Sequence, residues 1–157
     1  MQATTAIANG LKHLKELYLS KKGFAPKITD RTANGLTRCI IDFLNLSGWQ
    51  AERINCTGRI IDTRKTYTDV CGFTRTIGNV KYGKTSGQRG TADISATIKG
   101  RSVKIEVKIG ADKQSQTQKE YEQSIIKAGG FYFIARNFQN FYEWYNRKMN
   151  NYARYGV

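Results

Sequence analysis

No stretch of this chain is apolar for long enough to cross a bilayer as a helix, so a helical membrane protein is not expected. Histidine is almost missing. His13 stands alone, on a stretch with helical spacing, where a single histidine is most often a surface or packing residue. Its solitude argues against zinc hydrolases and against nucleases built on paired histidines. Cysteine is scarce and odd in number. Cys39, Cys56 and Cys71 are widely spaced and match no zinc pattern, so reduced thiols in a cytoplasmic setting are expected. The N-terminal MQATTAIANGLKHLKELYL has no signal-peptide layout, because lysines interrupt its apolar positions. Acidic residues are outnumbered, 12 against 26 Lys and Arg, for a formal charge of +14. That charge says little about fold and much about partners: a polyanion is the natural one, nucleic acid the commonest. The plain alternative is a merely basic protein.

What is present suits one globular domain of 157 residues, 39% hydrophobic and 11% aromatic. Ile7, Leu11, Leu14 and Tyr18 fall at helical spacing and predict a helix over 3–20. Leu36, Ile40, Phe43 and Leu44 predict a second over 31–47, capped by Thr29 or Asp30. A short strand follows over 49–55. Residues 56–90 are rich in Thr, Gly and basic side chains. Short strands are expected there around 60–61 and 73–77, and the rest carries no assignment. Such a basic, Gly-rich connection is a candidate nucleic-acid-contacting loop, or a loop that is simply solvated. Ser115 and Gln118 form a capping-box pattern that opens a helix over 115–128, closed by Gly129 and Gly130. An apolar strand over 131–135 and a helix over 138–150 complete the chain. The aromatic stripe of the last helix, Phe138, Phe141, Tyr142 and Tyr145, reads as core rather than as a stacking platform. The basic tail after it reads as loose.

The chemistry lies in GTADISATIKGRSVKIEVKIG, residues 90–110. Polar and apolar residues alternate with period two on both sides of Lys99 and Gly100, the mark of two half-buried strands. A two-residue loop there sets Ile98 opposite Arg101 and Asp93 opposite Glu106. Two carboxylates so placed have Cβ atoms about 4.5–5.5 Å apart and repel. A divalent metal between them would turn the repulsion into a binding site, and Lys108 projects from the same face. The same pattern also describes an ordinary polar face left to solvent.

The order helix, strand, loop, hairpin, helix, strand stands beside Gly90-x-x-Asp93, Glu106-Val107-Lys108, Gln118-x-x-Tyr121 and Gly129-Gly130. Together these resemble the PD-(D/E)XK nuclease superfamily and, more narrowly, the VRR-NUC family of virus-type replication-repair nucleases. The resemblance covers about residues 30–140. It implies an α/β (α+β) restriction-endonuclease-like core of αβββαβ order, a mixed four-stranded sheet flanked by helices. Residues 1–28 would be an N-terminal helical extension and 141–157 a C-terminal helix and tail of one nuclease domain.

The resemblance implies roles as well. Asp93 and Glu106 would bind Mg²⁺ or Mn²⁺, with the Val107 carbonyl as a further ligand. Lys108 would be the motif lysine, its pKa pushed down by the neighbouring cation. Gln118 would support the site, unless it serves only the capping box. Arg53 and Asn55 match a polar pair that points toward the site in relatives. Lys81, Lys84, Arg89, Lys113 and Arg136 would contact phosphates with little sequence readout. Relatives usually carry a glutamate near the start of the helix over 31–47. Here Asp30 lies too early and Asn34 is neutral, so either Asn34 substitutes through its carbonyl or the position is unused. The expected activity is metal-dependent DNA endonuclease cleavage of double-stranded or branched DNA, at junctions, flaps or ends, by a chain that can dimerise. The alternatives are a non-catalytic nucleic-acid-binding module on the same fold and a structural protein with a solvated hairpin face.

Overall fold

The computed structural model describes residues 9–54, 59–83 and 88–149. The chain parts into two compact units, residues 1–54 with 90–157, and residues 55–89.

The first unit is a mixed α/β layer structure. Helix α1 (Gly10–Lys22) is capped by Asn9, and α2 (Ala33–Leu46) by Thr32, whose hydroxyl accepts from Gly35 N–H at 3.1 Å. Thr32 therefore takes the position expected of Thr29 or Asp30. The Asp30 carboxylate serves another helix: it accepts from the backbone N–H of Phe138 at 3.0 Å. Strand β1 (Gln50–Arg53) leads out of the unit. The chain returns through β6 (Ile94–Ile98), β7 (Arg101–Val107), α3 (Gln116–Lys127), β8 (Phe131–Ala135) and α4 (Phe138–Lys148). The sheet order is β1-β6-β7-β8, antiparallel except for the parallel β7–β8 pair that α3 connects.

Alternation decides what each face meets. Ile94, Ala96, Ile98, Val103, Ile105 and Val107 turn to one side and are buried with Leu36, Ile40 and Phe43 of α2 and the α4 aromatics. Phe43 is the hub. Its ring meets those of Phe138, Tyr142 and Tyr145 edge-on, centroids 5.2–5.8 Å apart. The α4 stripe is thus core. No helix among the described residues is long and apolar enough to cross a membrane. Cys39 is buried and Cys71 exposed, both as free thiols, while Cys56 lies outside the described residues.

The second unit is a bent hairpin. Strand β2 (Arg59–Asp62) pairs with β5 (Val80–Gly83), and β3 (Lys65–Thr68) with β4 (Thr74–Ile77), all antiparallel. Thr63 and Asn79 hold the bend between the two ribbons, through Thr63 N–H to the Asn79 carbonyl at 3.0 Å and Thr63 Oγ1 to the same oxygen at 2.8 Å. Gly78 there has φ +94°, and a Cβ would lie 2.2 Å from the Thr63 carbonyl oxygen. Only two of these four strands are expected from the sequence. The other two, β3 and β5, are almost wholly exposed, so no buried apolar stripe marks them.

The hairpin of the first unit turns as its residues require. Lys99 and Gly100 both have positive φ, 50° and 73°, the signature of a type I′ turn. The Lys99 ammonium donates to the Met149 carbonyl at 2.7 Å and ties the turn to the end of α4. At the other end of the hairpin, Gly90 has φ +77° and passes against the start of α3. A Cβ there would lie 2.4 Å from the Thr117 carbonyl oxygen. Gly90→Ala should therefore destabilise the protein by more than about 1 kcal/mol in denaturant unfolding, since both the backbone angle and the contact oppose it. A neutral substitution would show that α3 does not pack there.

A candidate metal centre

The register expected from the turn is the register observed. Ile98 pairs with Arg101 and Ile94 with Ile105, so one further step sets Asp93 opposite Glu106. The Asp93 carboxylate turns along the strand and accepts from the backbone N–H of Val107 at 2.8 Å. Ile54 N–H donates to the Asp93 carbonyl at 2.8 Å and extends the β1 pairing to this point.

The solvated-face reading fails at Glu106 and Lys108, which are 2% and 7% exposed. Burial of two ionisable groups is costly unless they are paired and hydrogen-bonded. Lys108 Nζ lies 3.1 Å from Glu106 Oε1 and 3.4 Å from Asp112 Oδ2. Gln118 Nε2 donates to the same Glu106 oxygen. The Gln118 carbonyl oxygen meanwhile accepts from Ser115 N–H at 2.9 Å, and Ser115 Oγ accepts from Gln118 N–H. One side chain thus closes the capping box with its oxygen and reaches Glu106 with its nitrogen. Its two readings from sequence are compatible, because a glutamine at the third helical position has a spare amide end.

Glu106 Oε2 is buried with no hydrogen-bond partner. An acceptor left in that state calls for a ligand or carries a penalty. Burial, then the Asp93 charge, push the Glu106 carboxyl above its ordinary value, against the pull of Lys108. Burial by itself would lower the Lys108 ammonium, but Glu106 and Asp112 outweigh it and hold it above its ordinary value.

Tyr132 shares this face: it pairs with Lys104 as Ile134 pairs with Glu106. Its hydroxyl is buried with no partner in good hydrogen-bond geometry, although the Gln114 side chain lies near enough to pull its pKa down. Burial and then the Glu106 charge push its pKa up. Gln114 donates instead to Glu122 at 2.9 Å. Asp112, Gln114, Glu122 and Tyr132 have no motif of their own in the sequence. The one signal available was the spacing of Glu122, four residues after Gln118 and so on the same face of α3.

The remaining expected residues are spread more widely. Arg53 is exposed and pairs with Ile94, one residue out of phase with Asp93; Glu52, opposite Ser95, shares the carboxylate face instead. Arg53 therefore does not point at the site. Asn55 and Lys84 lie outside the described residues. Lys81 and Arg89 belong to the second unit. Lys113 is exposed on the loop before α3. Arg136 Nη1 donates to the carbonyls of Gly110 and Asp112 at 3.4 and 3.5 Å, and so holds the loop that carries Asp112. Asn34 is exposed in the first turn of α2. Among the described residues no cluster of three His, Cys, Asp or Glu side chains is present.

No known family matches the chain, and no curated protein does.

The raised Glu106 carboxyl has a consequence for stability. Its contribution is complete below its ordinary value of 4.5 and is lost as pH rises through the raised one, where the buried group must ionise. Glu106→Gln removes that ionisation, keeps an oxygen for Lys108 and Gln118, and places a donor where Oε2 has no partner. In EDTA the melting temperature of wild type relative to the variant should fall as pH rises from 4.5 through the raised value and then level off. A difference that instead grows in favour of wild type over that range would mean that the Lys108 pairing outweighs burial.

Proposed function

We propose that this protein is a metal-dependent DNA endonuclease with a restriction-endonuclease-like core. The observation that carries the reading is the buried Glu106 carboxylate, held by Lys108 and Gln118 through one oxygen, facing Asp93, with its second oxygen unpartnered.

The donor set fits a hard divalent cation. Asp93, Glu106 and the Val107 carbonyl offer oxygen ligands, and Glu106 Oε2 has nothing else to bind. Two carboxylates suit Mg²⁺ or Mn²⁺, which keep several waters and take further oxygens from substrate phosphates. Bound there, the cation supplies charge neutralisation at the phosphate and acidifies water for attack.

The chain's own residues do the rest. Gln118 and Lys108 fix the Glu106 side chain, so its free oxygen is presented without rotamer search. Val107 N–H fixes Asp93 in the same way. Lys108 is protonated, because Glu106 and Asp112 hold it so. It is therefore placed to act as a donor, orienting the attacking water and stabilising charge that develops on the phosphate. Lys113 and the basic surface supply phosphate contacts that carry no sequence information.

A second reading, a nucleic-acid-binding module without cleavage, is favoured by one observation: among the described residues no group of three His, Cys, Asp or Glu side chains is placed to hold a metal ion. A cleavage assay with Mn²⁺ against EDTA separates the two. Wild type should cut plasmid or branched DNA only with the metal. Asp93→Ala, Glu106→Ala and Lys108→Ala should each lower the rate by at least about 100-fold, the scale of losing one preorganised electrostatic group. Full activity in Glu106→Ala would end the nuclease reading.

The metal should also raise the melting temperature, since a ligand that binds only the native state adds RT ln(1 + [L]/Kd), about 2.7 kcal/mol at 100 times Kd. Asp93→Ala should remove the gain. An equal gain in variant and wild type would place the metal elsewhere.

A further inference from the structure

The second unit exposes what a protein normally hides. Val70 is 105% exposed, Tyr82 77% and Phe73 68%, and Ile60, Ile77 and Tyr67 are exposed as well. So many large apolar side chains exposed on one arm point to an interaction surface. A two-stranded ribbon with no packed face is also marginal by itself in water.

Its far end is nonetheless built. Asp69 Oδ1 accepts from the backbone N–H groups of Cys71 and Phe73, each at 3.0 Å, and Oδ2 accepts from Arg75 Nε at 3.0 Å. Asp69 N–H donates to the Phe73 carbonyl at 2.9 Å, and Gly72 supplies φ +83°. The turn thus holds Val70 and Phe73 outward from a fixed backbone.

The two faces of the outer ribbon differ in chemistry. The pairs Thr66–Thr76 and Thr68–Thr74 place four threonines on one face. Lys65 opposite Ile77 and Tyr67 opposite Arg75 give the other face alternating cations and apolar groups. Residues 55–89 contain seven basic and two acidic residues, a net +5. Both acids are consumed inside the arm, Asp62 by Arg64 at 2.7 Å and Asp69 by Arg75.

We propose that the 59–83 arm is a duplex-DNA grip: its Lys65–Tyr67 face follows the phosphates while the Val70–Phe73 tip contacts bases in a groove. Charge selects the occupant. A second copy of this chain would bring its own +14 against the arm, whereas a duplex offers dense negative charge. Shape selects DNA, since the major groove of B-DNA admits a two-stranded ribbon and the deep, narrow groove of A-form RNA does not. Exposed apolar side chains suit base edges such as the thymine methyl. The inference rests on the nucleic-acid part of the proposed function and is independent of cleavage.

The test is a binding titration of the full chain against a short DNA duplex in EDTA, over a range of salt. Val70→Ser and Phe73→Ser should each weaken binding about tenfold, the scale of burying one apolar side chain, and leave the salt slope unchanged. Lys65→Gln and Lys81→Gln should each flatten the slope of log K against log salt by about one. Val70 is fully exposed, so its substitution tests contact and not folding. Wild-type affinity in both tip variants would overturn the proposal. So would a wild-type dimer, by sedimentation, that Val70→Ser dissociates, since the tip would then cover a second copy. Tip-dependent binding without Mn²⁺-dependent cleavage would leave the arm standing and remove only the nuclease.

Discussion

The first unit is organised around one buried carboxylate. Glu106 sits in the middle of the sheet with 2% of its surface exposed, and it is tolerated there because Lys108 and Gln118 converge on one of its oxygens. Each partner is placed by a different part of the fold. Lys108 follows two residues along the chain and is steadied by Asp112, whose loop Arg136 holds. Gln118 arrives from α3, whose start is fixed by its own capping box and by the close passage of Gly90. Asp93 is brought opposite by the turn at Lys99 and Gly100. Disturbing the placement of Lys108 or Gln118 leaves a charge buried without its partner, the costly side of a buried ion pair.

The same arrangement keeps stability and proposed chemistry in tension. A carboxylate whose pKa is raised by burial and by a second carboxylate is a poor choice for holding a fold together. It is a good choice for receiving a cation, which would relieve the repulsion and satisfy the unpartnered oxygen. Local cost concentrated at one site, with ordinary close packing around Phe43 on the opposite face, is the pattern expected where function and not stability sets the residues.

Sequence reasoning reached this site where physics is local. Period-two alternation in 90–110 gave the strands, and the glycine after Lys99 gave the turn and hence the register. The Ser115–Gln118 spacing gave the helix start. It could not show that Glu106 and Lys108 are covered, because the cover comes from α3 and from Asp112, neither coupled to the strand by any pattern. Asp30 looked like a cap for the helix that follows it, yet its carboxylate bonds Phe138 more than a hundred residues on, a contact only the tertiary fold creates. Arg53 was off by one in phase, since β1 has a single buried residue, Ala51, to reveal its facing. The β2–β5 arm was least legible. Strands exposed on both faces owe nothing to burial, so Lys65–Thr68 and Val80–Gly83 carry no assignment from sequence.

The central claim is that Asp93 and Glu106 share a divalent cation. Its most direct test is diffraction from crystals soaked in Mn²⁺, read in anomalous difference maps. The account predicts a peak between the Asp93 carboxylate and Glu106 Oε2, with the Val107 carbonyl in reach and Lys108 still beside Oε1. Crystals that show no peak there at saturating Mn²⁺, with the Glu106 oxygen still unpartnered, would contradict it.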